Sequence, residues 1–155
     1  MASNPEVEKM RSLAQLDVDA IGAYDAAISR VKDALVRERL NEFRVDHVRH
    51  VQDLNAFIRA LGGAPVELKP DFKGTAMKGF TAVSSLMGTE AALMAMLGNE
   101  EITNRVYELA LDFEWSPQVH ALIRKNRQDE ERHITWIREA VRLRPWAGDE
   151  ERAPV

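Results

Sequence analysis

The sequence contains no cysteine among its 155 residues. That excludes disulfides, thiolate zinc sites, iron–sulfur clusters and thiol catalysis. It also lacks an excess of positive charge. With 21 basic against 25 acidic side chains and a net charge of -4, it carries no electrostatic footprint for nucleic acid. No apolar run approaches the ~20 residues that a membrane span requires. The start, Met1-Ala2-Ser3-Asn4-Pro5-Glu6, has no apolar h-region. The expectation is a cytoplasmic protein with neither nucleic acid nor membrane as partner. There is no P-loop, no Gly-rich dinucleotide fingerprint and no nucleophile elbow. Aromatics are sparse at 6%, while Ala, Leu, Glu and Arg abound, a helix-forming composition. The 45% of hydrophobic residues argues against disorder, and the length suits one domain with a substantial core.

Apolar periodicity then predicts four helices. Asn4-Pro5 reads as a cap with proline at the first helical position. Val7, Met10, Leu13, Ala20, Ile21, Ala27, Ile28 and Val31 follow at helical spacing. Asp33 is the candidate cap of a second helix with the seam Val36, Leu40, Phe43, His47, His50, Leu54, Phe57/Ile58 and Leu61. Gly62-Gly63 and Pro65 stop it. Residues 62 to about 75 form a connector, and 76–87 read as partly helical. A third helix runs from about Thr89 to Phe113. Ser116-Pro117 starts a fourth, with the seam Val119, Ile123, Asn126, Glu130, His133, Ile137 and Val141. The fold class is all-α: two antiparallel hairpins joined by a long crossover between the second and third helices. The bundle occupies residues 1–145, and 146–155 reads as a flexible tail.

The chain is similar to itself at an offset of 83 residues. Asp17 maps to Glu100, Tyr24 to Tyr107, Asp25 to Glu108, Asp33 to Ser116, Arg44 to Arg127, Asp46 to Asp129, Arg49 to Arg132 and His50 to His133. No gap is needed. Matched Tyr, Asp, Arg and His together predict two pseudo-symmetric halves.

The repeat also places polar residues on faces that should be apolar. Asp17 lies 16 residues before the cap Asp33, and His47 and His50 lie 14 and 17 after it. At 1.5 Å per residue these are ~24, ~21 and ~26 Å from one turn, so an antiparallel hairpin brings them level. Glu100, Glu130 and His133 stand in the same relation to Ser116. Buried carboxylates and imidazoles are costly unless paired or bound to metal. Asp17, His47, His50, Glu100, Glu130 and His133 are therefore the candidate metal ligands, for iron or manganese by preference and zinc as a third choice. Asp46 and Asp129 read equally as surface ion pairs with Arg49 or Arg132 and as carboxylates that orient the imidazoles. Tyr24 and Tyr107 read first as hydrogen-bonded core tyrosines, with a supporting role to the ligands or an electron-relay role beyond that.

An acid on the first helix, a ligand pair at i and i+3 on the second, an acid on the third and Glu130-Glu131-Arg132-His133 on the fourth resemble the ferritin-like di-iron carboxylate superfamily, such as rubrerythrins and bacterioferritins. The resemblance covers residues 5–142. It implies Asp17 and Glu100 as terminal carboxylates, Glu130 as a bridging carboxylate, and His50 and His133 as terminal imidazoles. The chain departs from the pattern at His47, where the family has a bridging glutamate, unless Asp46 swings in to replace it. A di-iron or a mononuclear centre is compatible with this set. The resemblance further implies oxidoreductase chemistry on iron with dioxygen or peroxide as substrate, of the ferroxidase or peroxide-reducing kind. An external electron donor would serve a cysteine-free chain, and a homodimer is the expected assembly. The competing expectation is a metal-free or zinc-binding helical-bundle stress or scaffold protein without catalysis.

Overall fold

Asn4 opens the first helix, its side chain accepting from the backbone N–H groups of Glu6 (2.9 Å) and Val7 (3.4 Å), with Pro5 in the first turn. In the computed structural model, which describes residues 4–69 and 88–147, four helices follow one another: α1 (Pro5–Ile28), α2 (Ala34–Ala60), α3 (Thr89–Ala110) and α4 (Pro117–Leu143). No strand occurs among the described residues. Asp33 caps α2 by accepting from Val36 N–H at 2.9 Å. Ser116 precedes Pro117 as expected but makes no side-chain cap bond. Its N–H and hydroxyl both donate to Glu6 Oε1, at 2.8 and 2.7 Å, which ties the start of α4 to the start of α1.

Five residues separate α1 from α2 and six separate α3 from α4, so each pair is an antiparallel hairpin. Across the hairpins, α1 packs on α3 and α2 on α4. Tyr24 meets Glu100 while Tyr107 meets Asp17, so the residue numbers fall on α3 as they rise on α1. These two helices are also antiparallel. The same holds for α2 and α4, where Asp46 meets His133 and Asp129 meets His50. Consequently α2 and α3 run in the same direction. At one end of the bundle Arg11 donates to Ala64 O just beyond α2 (2.9 Å), and at the other Lys32 N–H approaches Thr89 Oγ1 (3.4 Å) at the start of α3. The end of α2 and the start of α3 therefore lie at opposite ends of the bundle. Residues 70–87, including Met77 and Met87, lie outside the described residues.

The apolar interior falls into two clusters. Tyr24, Val36, Leu40, Phe43, Leu93, Met96, Ile137 and Trp146 fill one end. Met10, Leu13, Val51, Leu54, Ile58, Tyr107, Val119 and Ile123 fill the other. Gly63 permits the tight closure after α2, since a Cβ there would stand 2.5 Å from Val7 Cγ1. Trp146, expected at the start of a flexible tail, is instead buried in the first cluster; residues 148–155 of that tail lie outside the described residues. No helix of the described residues is long and apolar enough to cross a membrane.

Candidate metal centre

A polar layer lies between the two apolar clusters. Asp17 from α1, His47 and His50 from α2, Glu100 from α3, and Glu130 and His133 from α4 are all fully buried. Each is on an inward helical face because it continues the apolar spacing of its own helix. The structure thus brings together all six residues singled out as ligands.

Their atoms form two adjacent groups. In the first, Asp17 Oδ1 lies 2.7 Å from His47 Nδ1 and 3.0 Å from His50 Nδ1, while Glu130 Oε1 lies 3.4 and 3.5 Å from the same two nitrogens. In the second, Glu100 Oε1 lies 3.3 Å from His47 Nε2 and 3.5 Å from His133 Nδ1, and Glu130 Oε2 lies 3.7 Å from His133 Nδ1. Asp17, His47, His50 and Glu130 each offer one atom within 4.8 Å of the others, and so do His47, Glu100, Glu130 and His133. His47 and Glu130 belong to both groups.

A ring of outer residues holds this layer. His50 Nε2 meets Asp129 Oδ2 at 2.9 Å, and His133 Nε2 meets Asp46 Oδ2 at 2.8 Å. The sequence places each aspartate four residues before a histidine of its own helix, but each pairs with the histidine of the facing helix. Each aspartate thus faces both an imidazole and two arginines. Arg49 bonds Asp46 (3.0 Å) and Asp129, and Arg132 bonds Asp129 (3.3 Å) and Asp46. Asp46 is occupied by these partners and does not enter either inner group, so it does not replace the bridging carboxylate. Tyr24 donates to Glu100 Oε1, and Tyr107 donates to Asp17 Oδ2 at 2.5 Å.

Thr103, Asn104 and Asn126 complete the surroundings and were not singled out from the sequence. Thr103 Oγ1 lies 3.2 Å from Glu100 Oε2 and 3.1 Å from Glu130 Oε2. Asn104 donates to the backbone oxygens of Glu100 (2.8 Å) and Glu130 (3.0 Å), and Asn126 reaches Tyr107 Oη at 3.3 Å. Their counterparts under the 83-residue offset are Ala20, Ile21 and Phe43, so the repeat gave no signal for them. The spacing did: Glu100, Thr103 and Tyr107 share one helix face. Asn104 also lines a surface groove of about 490 Å³ together with Glu101, Arg105, Arg127 and Glu131.

The electrostatics follow from burial opposed by close opposite charge. Burial pushes the Asp17 carboxyl up, but His50 and His47 beside it bring it down to about 2. Burial pushes His47 down, yet Glu130, Asp17 and Glu100 raise it to about 9. His50, facing Asp17, Asp129 and Glu130 against its own burial, is pushed up to about 12. His133 is raised well above its ordinary value in spite of burial, through Asp46, Glu100 and Glu130. Glu100 is held well below its usual range by His133 and His47, which outweigh its burial. Tyr24 and Tyr107 are raised by burial and by the carboxylates they face, so both remain phenols.

Each of the three buried imidazoles therefore faces carboxylates at both nitrogens. A neutral ring has one N–H and one bare lone pair, so it cannot donate to both. Each ring must carry a second proton or face a cation. The donor set of carboxylate oxygens and imidazole nitrogens fits a transition metal or zinc and leaves no thiolate preference. Among the buried side-chain atoms without a hydrogen-bond partner, Glu130 Oε1 and His133 Nδ1 face the two groups. An orphaned carboxylate oxygen and imidazole nitrogen are unfavourable in a sealed interior and are the atoms a cation would satisfy. The residues present fit a metal centre.

Among known families, a family model described as a domain of unknown function (DUF2383) matches residues 6–112. The comparison with curated proteins gives no match. The matched region takes in α1, α2 and α3, and hence Asp17, His47, His50 and Glu100.

Proposed function

The chain belongs to the DUF2383 family, and we propose that it is a ferritin-like non-haem metal-binding protein, built of two pseudo-symmetric hairpins, whose buried centre carries out iron-dependent chemistry on dioxygen or peroxide. The observation that carries the reading is the pair of four-residue groups sharing His47 and Glu130, in a layer where Glu130 Oε1 and His133 Nδ1 lack partners. The placement of the end of α2 and the start of α3 at opposite ends of the bundle supports the ferritin-like topology.

In this reading Asp17 and Glu100 are terminal carboxylates, and His50 and His133 are terminal imidazoles. Glu130 presents one oxygen to each group. When bound, iron supplies the electrons that reduce dioxygen or peroxide. The protein's own contribution is positional. Asp129 and Asp46 hold the N–H of His50 and His133 at Nε2, which turns the Nδ1 lone pairs inward. Tyr107 fixes the outer oxygen of Asp17, Tyr24 fixes Glu100 through Oε1, the oxygen that also faces His47 and His133, and their raised phenols stay protonated as donors. The two apolar clusters exclude water from above and below. The groove lined by Asn104, whose amide bonds the backbone oxygen of Glu100, is the proposed route for a small oxidant.

The test is metal analysis of untagged protein, followed by anaerobic loading with Fe(II) and exposure to oxygen under optical observation. Stoichiometric iron and oxidation faster than in buffer are expected. Protein that binds no metal, or iron that oxidises no faster than in buffer, rejects the proposal. Zinc retained in place of iron would support the structural alternative instead.

A further inference from the structure

We infer that His47 is a two-ended ligand: its imidazole serves one metal position through Nδ1 and a second through Nε2, in the place where a carboxylate would otherwise join the two. The inference rests on the metal-binding reading above and goes further, because it assigns two ions and the residue that links them.

The geometry is specific to this ring. Nδ1 of His47 faces Asp17 Oδ1 at 2.7 Å and Glu130 Oε1 at 3.4 Å, while Nε2 faces Glu100 Oε1 at 3.3 Å. Its two nitrogens therefore enter different groups. Its neighbours are built otherwise. His50 and His133 each turn Nδ1 inward and spend Nε2 on an outer aspartate, so each serves a single group. No outer aspartate approaches His47. Glu130 is divided in the same way as His47, with Oε1 towards Asp17's group and Oε2 towards His133's. Two divided ligands, one carboxylate and one imidazole, sit between two pairs of single-ended ones.

Charge fits this assignment. A ring that holds two ions has given up its N–H proton to solvent and is an imidazolate. Two divalent cations against the three carboxylates and one imidazolate leave the buried layer neutral, and Asp46 and Asp129 are already balanced by Arg49 and Arg132. One divalent cation with a neutral His47 would leave an uncompensated negative charge in a fully buried layer.

The experiment is Co(II) titration of the full chain, read by calorimetry and by the visible ligand-field bands. The wild type is expected to bind two ions. His50→Gln and His133→Gln are each expected to lose one ion and keep the other within about tenfold of its affinity. His47→Gln is expected to weaken both ions by a hundredfold or more. His47→Glu, which restores a two-ended ligand, is expected to bind two ions again, with the bands of both shifted. If His47→Gln does not fold, by helical signal and melting, His47→Glu alone decides: a shift confined to one ion's band overturns the inference. So does a wild type that binds one ion, or a His47→Gln that keeps one at full affinity. A wild type that binds no cobalt, iron or zinc overturns the metal-binding reading itself.

Discussion

The hydroxyl of Tyr107 lies 2.5 Å from Oδ2 of Asp17, although ninety positions separate the two in the chain. Both are fully buried, and the contact joins α1 to α3 at the level of the polar layer. Asp17 spends Oδ1 on His47 and His50, so Tyr107 is its partner for the other oxygen. Tyr107→Phe removes that donor while keeping the ring. A buried carboxylate oxygen left unsatisfied costs about 1–3 kcal/mol, and the loss is expected in denaturant unfolding of the metal-free protein. A change below about 0.5 kcal/mol, the range of neutral surface substitutions, would show that the bond contributes nothing.

The crossed aspartates make a sharper prediction. Asp46 pairs with His133 of the facing helix and not with His50 of its own. Loss of a carboxylate that orients an imidazole ligand typically weakens metal binding by about 10–100-fold. Asp46→Asn is therefore expected to do so at the ion held by His133. In double-mutant cycles on metal affinity, Asp46→Asn should couple more strongly to His133→Gln than to His50→Gln. The reverse order would refute the crossed pairing.

Much of this was legible in the sequence, and the reasons are physical. The caps Asn4 and Asp33 announce themselves by residue type, and the 3–4 apolar spacing carries the helices. The six ligand candidates stood out because each interrupts that spacing with a costly polar group. What was not legible depends on angles between helices. Helical rise fixes the depth of Asp46 but not which neighbouring helix it faces, so its pairing with His133 had to come from the packed structure. Thr103 and Asn104 were hidden because their repeat counterparts are Ala20 and Ile21. The comparison by offset finds only what both halves share.

The same clamped imidazoles set the pH dependence. His47 is raised from 6.5 to about 9 against the pull of its burial, so in the metal-free protein it favours the folded state as an imidazolium. That contribution is complete below pH 6.5 and is lost as pH rises to about 9. Asp17, lowered from 3.8 to about 2, contributes above pH 3.8 and loses its part as pH falls towards 2. Metal-free stability should therefore decline from neutral towards pH 9. Metal binding should show the opposite trend, because the cation displaces protons from the rings. Each displaced proton steepens the affinity by up to about tenfold per pH unit. Thermal melts and metal titrations between pH 6 and 9 check both directions. Metal-free stability that rises across that range would contradict the imidazolium assignment.

Trp146 distinguishes a tail from a structural closure. The two prolines and three acids near the end of the chain suggested a boundary after residue 145, but Trp146 is 1% exposed and belongs to the apolar cluster of Tyr24, Phe43, Leu93, Met96 and Ile137. Arg144, at φ 49°, turns the chain out of α4 in the left-handed region. Arg144 also pairs with Glu90 at 3.4 Å, beside the start of α3. This turn brings the indole back over the end of the bundle. Truncating a buried Trp to Ala costs about 3–5 kcal/mol through lost burial and the cavity left behind. Trp146→Ala, and a chain ending at Pro145, should both fall in that range. If the chain ending at Pro145 melts with the full-length protein, Trp146 does not belong to the core. The cluster it joins includes Tyr24 and Phe43, and the Phe43 ring lies 4.4 Å from that of His133, tilted by 31°. Loss of the indole is therefore expected to loosen the metal layer from that end as well, seen as weaker binding of the ion held by Glu100 and His133.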